Sequence, residues 1–162
     1  MSQVQSSIYI EAPVEEVFGY VADYRHSKEY LVGFTRFEPV SSRVYGLGAK
    51  VYAAGRIRGI PVFTYLEITE FVPNRRIVSR SFPSIVGNPV WSFEPKGTGT
   101  VVTFSSDFRL PFPVVGRFLR GIVLEDEVRW HVEESLRRLK RLIESRRQAA
   151  KSSEPEAGRS GG

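Results

Sequence analysis

Few side chains in this sequence combine a reactive type with a useful spacing. Glu125, His131 and Ser135 lie in one stretch, Gly121 to Glu144, which has no proline and no internal glycine. A carboxylate and an imidazole are the groups a general acid and base would need. Six residues apart on one helix, Glu125 and His131 need not reach the same ligand atom. Arg56 and Arg58 share a strand face with Tyr52. Turned inward, a guanidinium would anchor a carboxylate or enolate at two points; turned outward, both are solvated charges. His26 stands in an Arg-His-Ser-Lys run and reads as a solvated surface histidine. The chain has no G-x-S-x-G, Walker loop, dinucleotide glycine fingerprint or H-E-x-x-H. Gly46-Leu-Gly48 and Gly97-Thr-Gly99 lack the rest of a phosphate loop and read as turns. With no cysteine and only two histidines, disulfides and thiolate metal sites are excluded, and a multi-histidine site is disfavoured. No metal and no cofactor is expected.

The element that must position these groups is the stretch itself. At about 100° per residue, Leu124, Val128, Val132, Leu136, Leu139, Leu142 and Ile143 gather on one side. Asp126, Glu133, Arg137, Lys140 and Arg141 occupy the other, with Trp130 on the outer side. The pattern predicts one long amphipathic helix, roughly 36 Å at about 1.5 Å per residue. Such a stripe needs a surface to lie on, and a curved antiparallel sheet supplies one. Glu125 and Ser135 interrupt the stripe and His131 sits at its edge. Either Glu125 reaches solvent and Ser135 bonds back to a backbone carbonyl, or the sheet and helix enclose a cavity that these polar groups line.

Most of the preceding chain alternates with period two. Val4 to Glu11 is a first strand, stopped by Ala12-Pro13. Val14, Val17, Phe18 and Val21 mark a short helix ending near Asp23, with Glu15 and Glu16 in its first turn, where the helix dipole favours acids. A second short helix, Ser27 to Leu31, precedes Gly33. Six strands follow: Phe34 to Arg43, Ala49 to Arg58, Val62 to Phe71, Arg76 to Phe82, Val90 to Glu94 and Thr100 to Leu110. Short turns join most of them, which favours antiparallel neighbours. Two large aromatics on one face of a short strand are costly to expose, so Trp91 and Phe93 are expected inward. Phe104 and Phe108 share a face with Ser106 and are expected inward too. For Phe63, Tyr65 and Glu67, parity alone does not choose the face.

The chain of 162 residues, 41% hydrophobic and 25% charged, fits one domain with a sizeable core. The expected division is a folded domain over residues 1–146 and a disordered tail over 147–162, where apolar residues stop. The net charge of +5 raises a nucleic-acid reading, but acids and bases are interleaved through the body, so no nucleic-acid partner is expected. No apolar run approaches the ~20 residues of a membrane span, and the N-terminus lacks the pattern of a signal peptide. The expectation is a cytoplasmic protein, monomer or homodimer.

Strand, two short helices, six strands and a long helix arrive in an order that resembles a known superfamily. Ile8-Tyr-Ile-Glu-Ala-Pro-Val-Glu-Glu-Val-Phe18, Thr69-Glu-Phe-Val-Pro-Asn-Arg-Arg-Ile77, Phe93-Glu-Pro-Lys-Gly-Thr-Gly-Thr-Val-Val-Thr103 and Leu136-Arg-Arg-Leu-Lys-Arg-Leu-Ile-Glu144 carry the likeness. The sequence is similar to START-like, helix-grip domains (SRPBCC) of the polyketide cyclase/dehydrase type. The resemblance implies an α+β fold, in which a seven-stranded curved antiparallel sheet wraps around the long C-terminal helix and two short helices follow the first strand. It implies a deep apolar cavity between sheet and helix, and an apolar ligand such as a lipid, polyketide or quinone. Trp91, Phe93, Phe104, Phe108, Glu125, Val128, Val132 and Ser135 are the expected ligand contacts. A cofactor-free cyclase or dehydratase, with Glu125 and His131 as its weak catalytic candidates, is an alternative. A third reading is a weak membrane-surface contact through Pro113 to Leu124, where Arg117 and Arg120 flank Phe118 and Leu119.

Overall fold

The computed structural model describes residues 2–57, 59–109 and 122–153, with the side chains of all but residues 2 and 122–124. Its strands are β1 (Ser2–Ile10), β2 (Phe34–Pro39), β3 (Lys50–Ile57), β4 (Ile60–Val72), β5 (Arg76–Pro83), β6 (Val86–Gly87), β7 (Val90–Lys96) and β8 (Gly99–Arg109). Helices α1 (Val14–Ala22) and α2 (Ser27–Tyr30), with a 3-10 turn at Tyr24–His26 between them, follow β1, and α3 (Ile122–Ser153) closes the chain. The strands form one antiparallel sheet in the order β1-β8-β6-β5-β4-β3-β2. β7 also lies between β5 and β8. The additional strand, β6, is therefore a two-residue piece in line with β7, interrupted at Asn88-Pro89, where proline cannot donate to a ladder. Sequence alternation gives seven strands because that piece is too short to show a period.

Two register shifts decide what faces the concave side. In β4 the pairing with β5 slips between Ile68 and Glu70. In β2 the pairing with β3 slips between Phe34 and Arg36. An extra residue reverses side-chain parity beyond it. Hence Ile68 and Phe71 both pack on the core cluster, and Phe34 and Phe37 both face the interior, their rings 5.7 Å apart.

The tightest core lies between the C-terminal half of α3, β1 and α1. Leu136, Leu139 and Ile143 are at most 1% exposed there, beside Ile10, Ala12 and Val17 at 0%. Phe18 meets Phe71 and Phe93 edge-on at 5.3 and 5.1 Å. Lys140 Nζ donates to the Tyr9 carbonyl at 2.7 Å, fastening the outer side of α3 to β1. The helix does not stop at Arg146. It runs through Ser153, so the expected disorder of the tail is corrected for residues 147–153, and the remainder lies outside the described residues. Arg-Arg-Gln-Ala-Ala-Lys are strong helix formers, and they continue a helix already nucleated even with no apolar surface to bury.

Candidate functional site

Towards its N-terminus α3 stands off the sheet and leaves a cavity of about 200 Å³. The helix lines it with Val128, His131, Val132, Ser135 and the edge of Leu136. Opposite lie Trp91 of β7, Phe104, Ser106 and Phe108 of β8, and Ser79 and Ser81 of β5. β4 contributes Val62, Thr64 and Leu66, and β2 contributes Phe34 and Phe37. Trp91 and Phe104 meet edge-on at 5.0 Å, and Tyr30, fully buried behind them, meets Trp91 at 6.1 Å. Burial pushes the Tyr30 phenol well above its ordinary range, so it stays protonated.

The rim is Leu31–Gly33 on one side and Ile85 and Pro89 on the other. Gly33 has φ +91°, a left-handed backbone that favours glycine, and an added Cβ would press on the His131 ring at 3.1 Å. Its carbonyl accepts from Arg56 N at 2.8 Å, and Gly55 permits the approach, since a Cβ there would lie 1.8 Å from that carbonyl oxygen. Ser135 holds the same rim to the helix. Its hydroxyl donates to the His131 carbonyl at 2.6 Å and accepts the Val32 N–H at 2.9 Å. Both sequence-level readings of Ser135 are thus met at once: it bonds back to the backbone and it borders the cavity.

The polar groups of the described cavity lining are hydroxyls, the His131 imidazole and the Trp91 indole. Among the described lining residues none is Asp, Glu, Lys or Arg. Thr64 Oγ1 donates to the carbonyls of Phe82 and Ile85 at 3.1 and 3.2 Å, Ser81 to Gly87 at 3.2 Å, and Ser106 to Asp107 at 2.9 Å. The Nδ1 of His131 lies 2.7 Å from the Glu127 carbonyl. Among the described residues no group of three or more His, Cys, Asp or Glu side chains is placed to hold a metal ion.

Six of the eight expected contacts come together here: Trp91, Phe104, Phe108, Val128, Val132 and Ser135. Phe93 does not join them. It points to the same side as Trp91, but one step further along β7 it is 5% exposed and wedged against Phe18 in the closed core. Glu125 is also absent from the lining. Six residues before His131, it is turned about 120° round the helix from it, so the acid–base pair is not assembled. Arg56 points outward and donates to the Gly59 carbonyl at 2.9 Å. The outer face it shares carries Tyr52, Phe63, Tyr65 and Phe82 in a run of ring contacts, with Arg36 over Tyr52 and Arg80 over Phe82. Arg58 and the segment Pro111–Gly121 lie outside the described residues.

Sequence reasoning misses the rim Leu31–Gly33 and the hydroxyls of β5. Ile77, Ser79 and Ser81 alternate on one face of β5, and that period, tied to buried Ile77, is the available signal. His26 is not a free surface group either. Its ring stacks on Tyr20 at 4.1 Å, and its Nδ1 is buried without a hydrogen-bond partner. The Tyr20 hydroxyl donates to Glu29, and burial first, then that bond to a carboxylate, pushes its phenol up to about 12.

Residues 1–144 match the family described as polyketide cyclase / dehydrase and lipid transport. A crystal structure of TTHA0849 from Thermus thermophilus superposes with a TM-score of 0.78 at 24% identity, over 90% of this chain and 99% of that one. A START superfamily protein from Mycobacterium smegmatis gives a TM-score of 0.75 at 14% identity, over 88% and 97%. DynU16, a putative protein in the dynemicin biosynthetic locus, gives 0.63 at 18% identity, over 90% of this chain and 48% of that one. At these identities the likeness is one of fold, and the fold is START-like. No curated protein matches the sequence.

Proposed function

The chain belongs to the polyketide cyclase / dehydrase and lipid transport family, and from that premise we propose that it binds one uncharged apolar small molecule between α3 and the sheet. The carrying observation is the cavity of about 200 Å³ whose described lining is aliphatic, aromatic and hydroxyl-bearing, with no acid, lysine or arginine. A space of this size suits a compact ring system, since engineered cavities of roughly 150 Å³ hold benzene. Apolar walls with a few fixed polar groups are the usual form of such sites. In this reading the ligand contacts Trp91, Phe104, Phe108, Val128, Val132 and Ser135.

An apolar fluorescent probe tests it. Binding at one site changes the emission of Trp91, and the change persists after Trp130→Phe, because Trp130 is 51% exposed on the outer side of α3. Val128→Trp fills the cavity and abolishes binding while the domain stays folded. Undiminished binding to Val128→Trp would sink the assignment.

The cyclase or dehydratase reading has weaker support. Of its two candidates only His131 lines the cavity, and it needs turnover that depends on that residue. No helix among the described residues is long and apolar enough to cross a membrane.

A further inference from the structure

Resting on the cavity as a binding site, we infer that His131 makes it selective for apolar ligands bearing a hydrogen-bond donor, a ring hydroxyl above all, over analogues that offer only acceptors. A backbone carbonyl can only accept. The Nδ1 of His131, 2.7 Å from the Glu127 carbonyl, is therefore the ring nitrogen that carries hydrogen. The carboxylate of Glu127, 3.7 Å from the same nitrogen, reinforces that assignment. In a neutral imidazole the other nitrogen then holds a lone pair and accepts.

That nitrogen, Nε2, has no hydrogen-bond partner among the described residues, yet it is not among their sealed, unpartnered polar atoms, which are His26 Nδ1 and Glu144 Oε2. It borders open space. Its place is beside Gly33, where an added Cβ would lie 3.2 Å from it, and both residues line the cavity. A side chain at position 33 would cover it, so the glycine keeps it reachable.

Most of the other described lining groups have the same polarity; the exception is the Trp91 indole N–H, which can only donate. Thr64, Ser81, Ser106 and Ser135 each commit their single hydroxyl proton to a backbone carbonyl and keep only acceptor capacity. Among the described lining hydroxyls Ser79 alone makes no such bond and can turn either way. A ligand hydroxyl entering this space meets acceptors. Among the described lining side chains a ligand carbonyl or ether oxygen that has lost its water finds only the Ser79 hydroxyl and the Trp91 N–H as donors, and an unmade buried hydrogen bond is costly.

Calorimetric titration with 1-naphthol and with 1-methoxynaphthalene tests this, since the two share a ring system and differ in the donor. The expected result is about tenfold tighter binding of 1-naphthol, the effect of one hydrogen bond. His131→Phe should remove the difference. Should that variant fail to fold, ¹⁵N spectra of the histidine rings in the unaltered protein decide instead. They should show His131 as the Nδ1–H tautomer, with Nε2 shifting when 1-naphthol is added. Equal affinities in the unaltered protein, or an Nε2–H tautomer, overturn the selectivity and leave the cavity standing. If neither compound binds, the cavity reading falls and this inference with it.

Discussion

The two halves of α3 lie against one sheet and treat it in opposite ways. Leu136, Leu139 and Ile143 are sealed into the core with β1 and α1. Val128 and Val132, on the same stripe, remain partly exposed and border a cavity. Side-chain size accounts for part of the difference: the distal half carries long branched aliphatics, whereas the proximal half has valines with His131 and Ser135 between them. On the sheet, Trp91, Phe104 and Phe108 line the space opposite the proximal half. A continuous apolar stripe therefore marks which side of a helix faces inward, but not whether that side is packed or open.

The largest effect that could break this comparison is in the packed half. Leu136→Ala should cost about 2–5 kcal/mol, because the deleted atoms leave a void that the surrounding core cannot close. Val132→Ala, which enlarges a space already present, should cost less than half as much. Denaturant titration of the two variants checks this, and equal losses would show that the halves are packed alike. Next comes the boundary between them. Ser135→Ala leaves the Val32 N–H without its acceptor and should cost about 1–2 kcal/mol. It should also loosen the rim, seen as faster amide exchange at Val32; unchanged exchange there would mean the tether is idle. The smallest effect is at the far end. Tight packing ends at Ile143, and residues 148–153 are exposed. Ending the chain after Ala149 should leave the melting temperature unchanged, whereas a clear drop would extend the packed half beyond the domain.

Much of this is legible in the sequence for a physical reason. A 3.6-residue period sustained from Val128 to Ile143 has few explanations, and turn residues such as Lys96-Gly97-Thr98-Gly99 leave little freedom in how β7 meets β8. The bulges are not legible, because an extra residue in β2 or β4 leaves no mark in composition. For that reason alternation alone does not place Phe34, Phe37 and Phe71 inward together with their neighbours. The cavity's aromatic wall follows from parity, since Trp91, Phe104 and Phe108 have one economical side to face. Phe93 has the same parity as Trp91, and only the three-dimensional position of Phe18 separates a core ring from a cavity ring. His26 looks solvated in the sequence because its partner Tyr20 lies six positions earlier, outside any helical spacing that would pair them. The helix end is hidden because the lack of apolar residues beyond Arg146 removes a packing surface without removing helix propensity.

β1 ends its search for a partner at the far side of the chain. Ile10 sits opposite Thr100 and Ser2 opposite Phe108. Contacts between residues so distant in sequence are closed late, because the loop entropy must be overcome before the pairing repays it. On the ribosome the N-terminal strand is made first and waits, while β2 to β5 can form hairpins as they emerge. β8, which carries one wall of the cavity, and α3, which roofs it, are the last pieces to arrive. A chain still being translated has no such cavity, so in the proposed reading a ligand is taken up only after α3 is made. Until β8 appears, the alternating edge from Val4 to Ile10 is open to any other strand, which makes the interval of synthesis the time when this fold most needs protection from its neighbours.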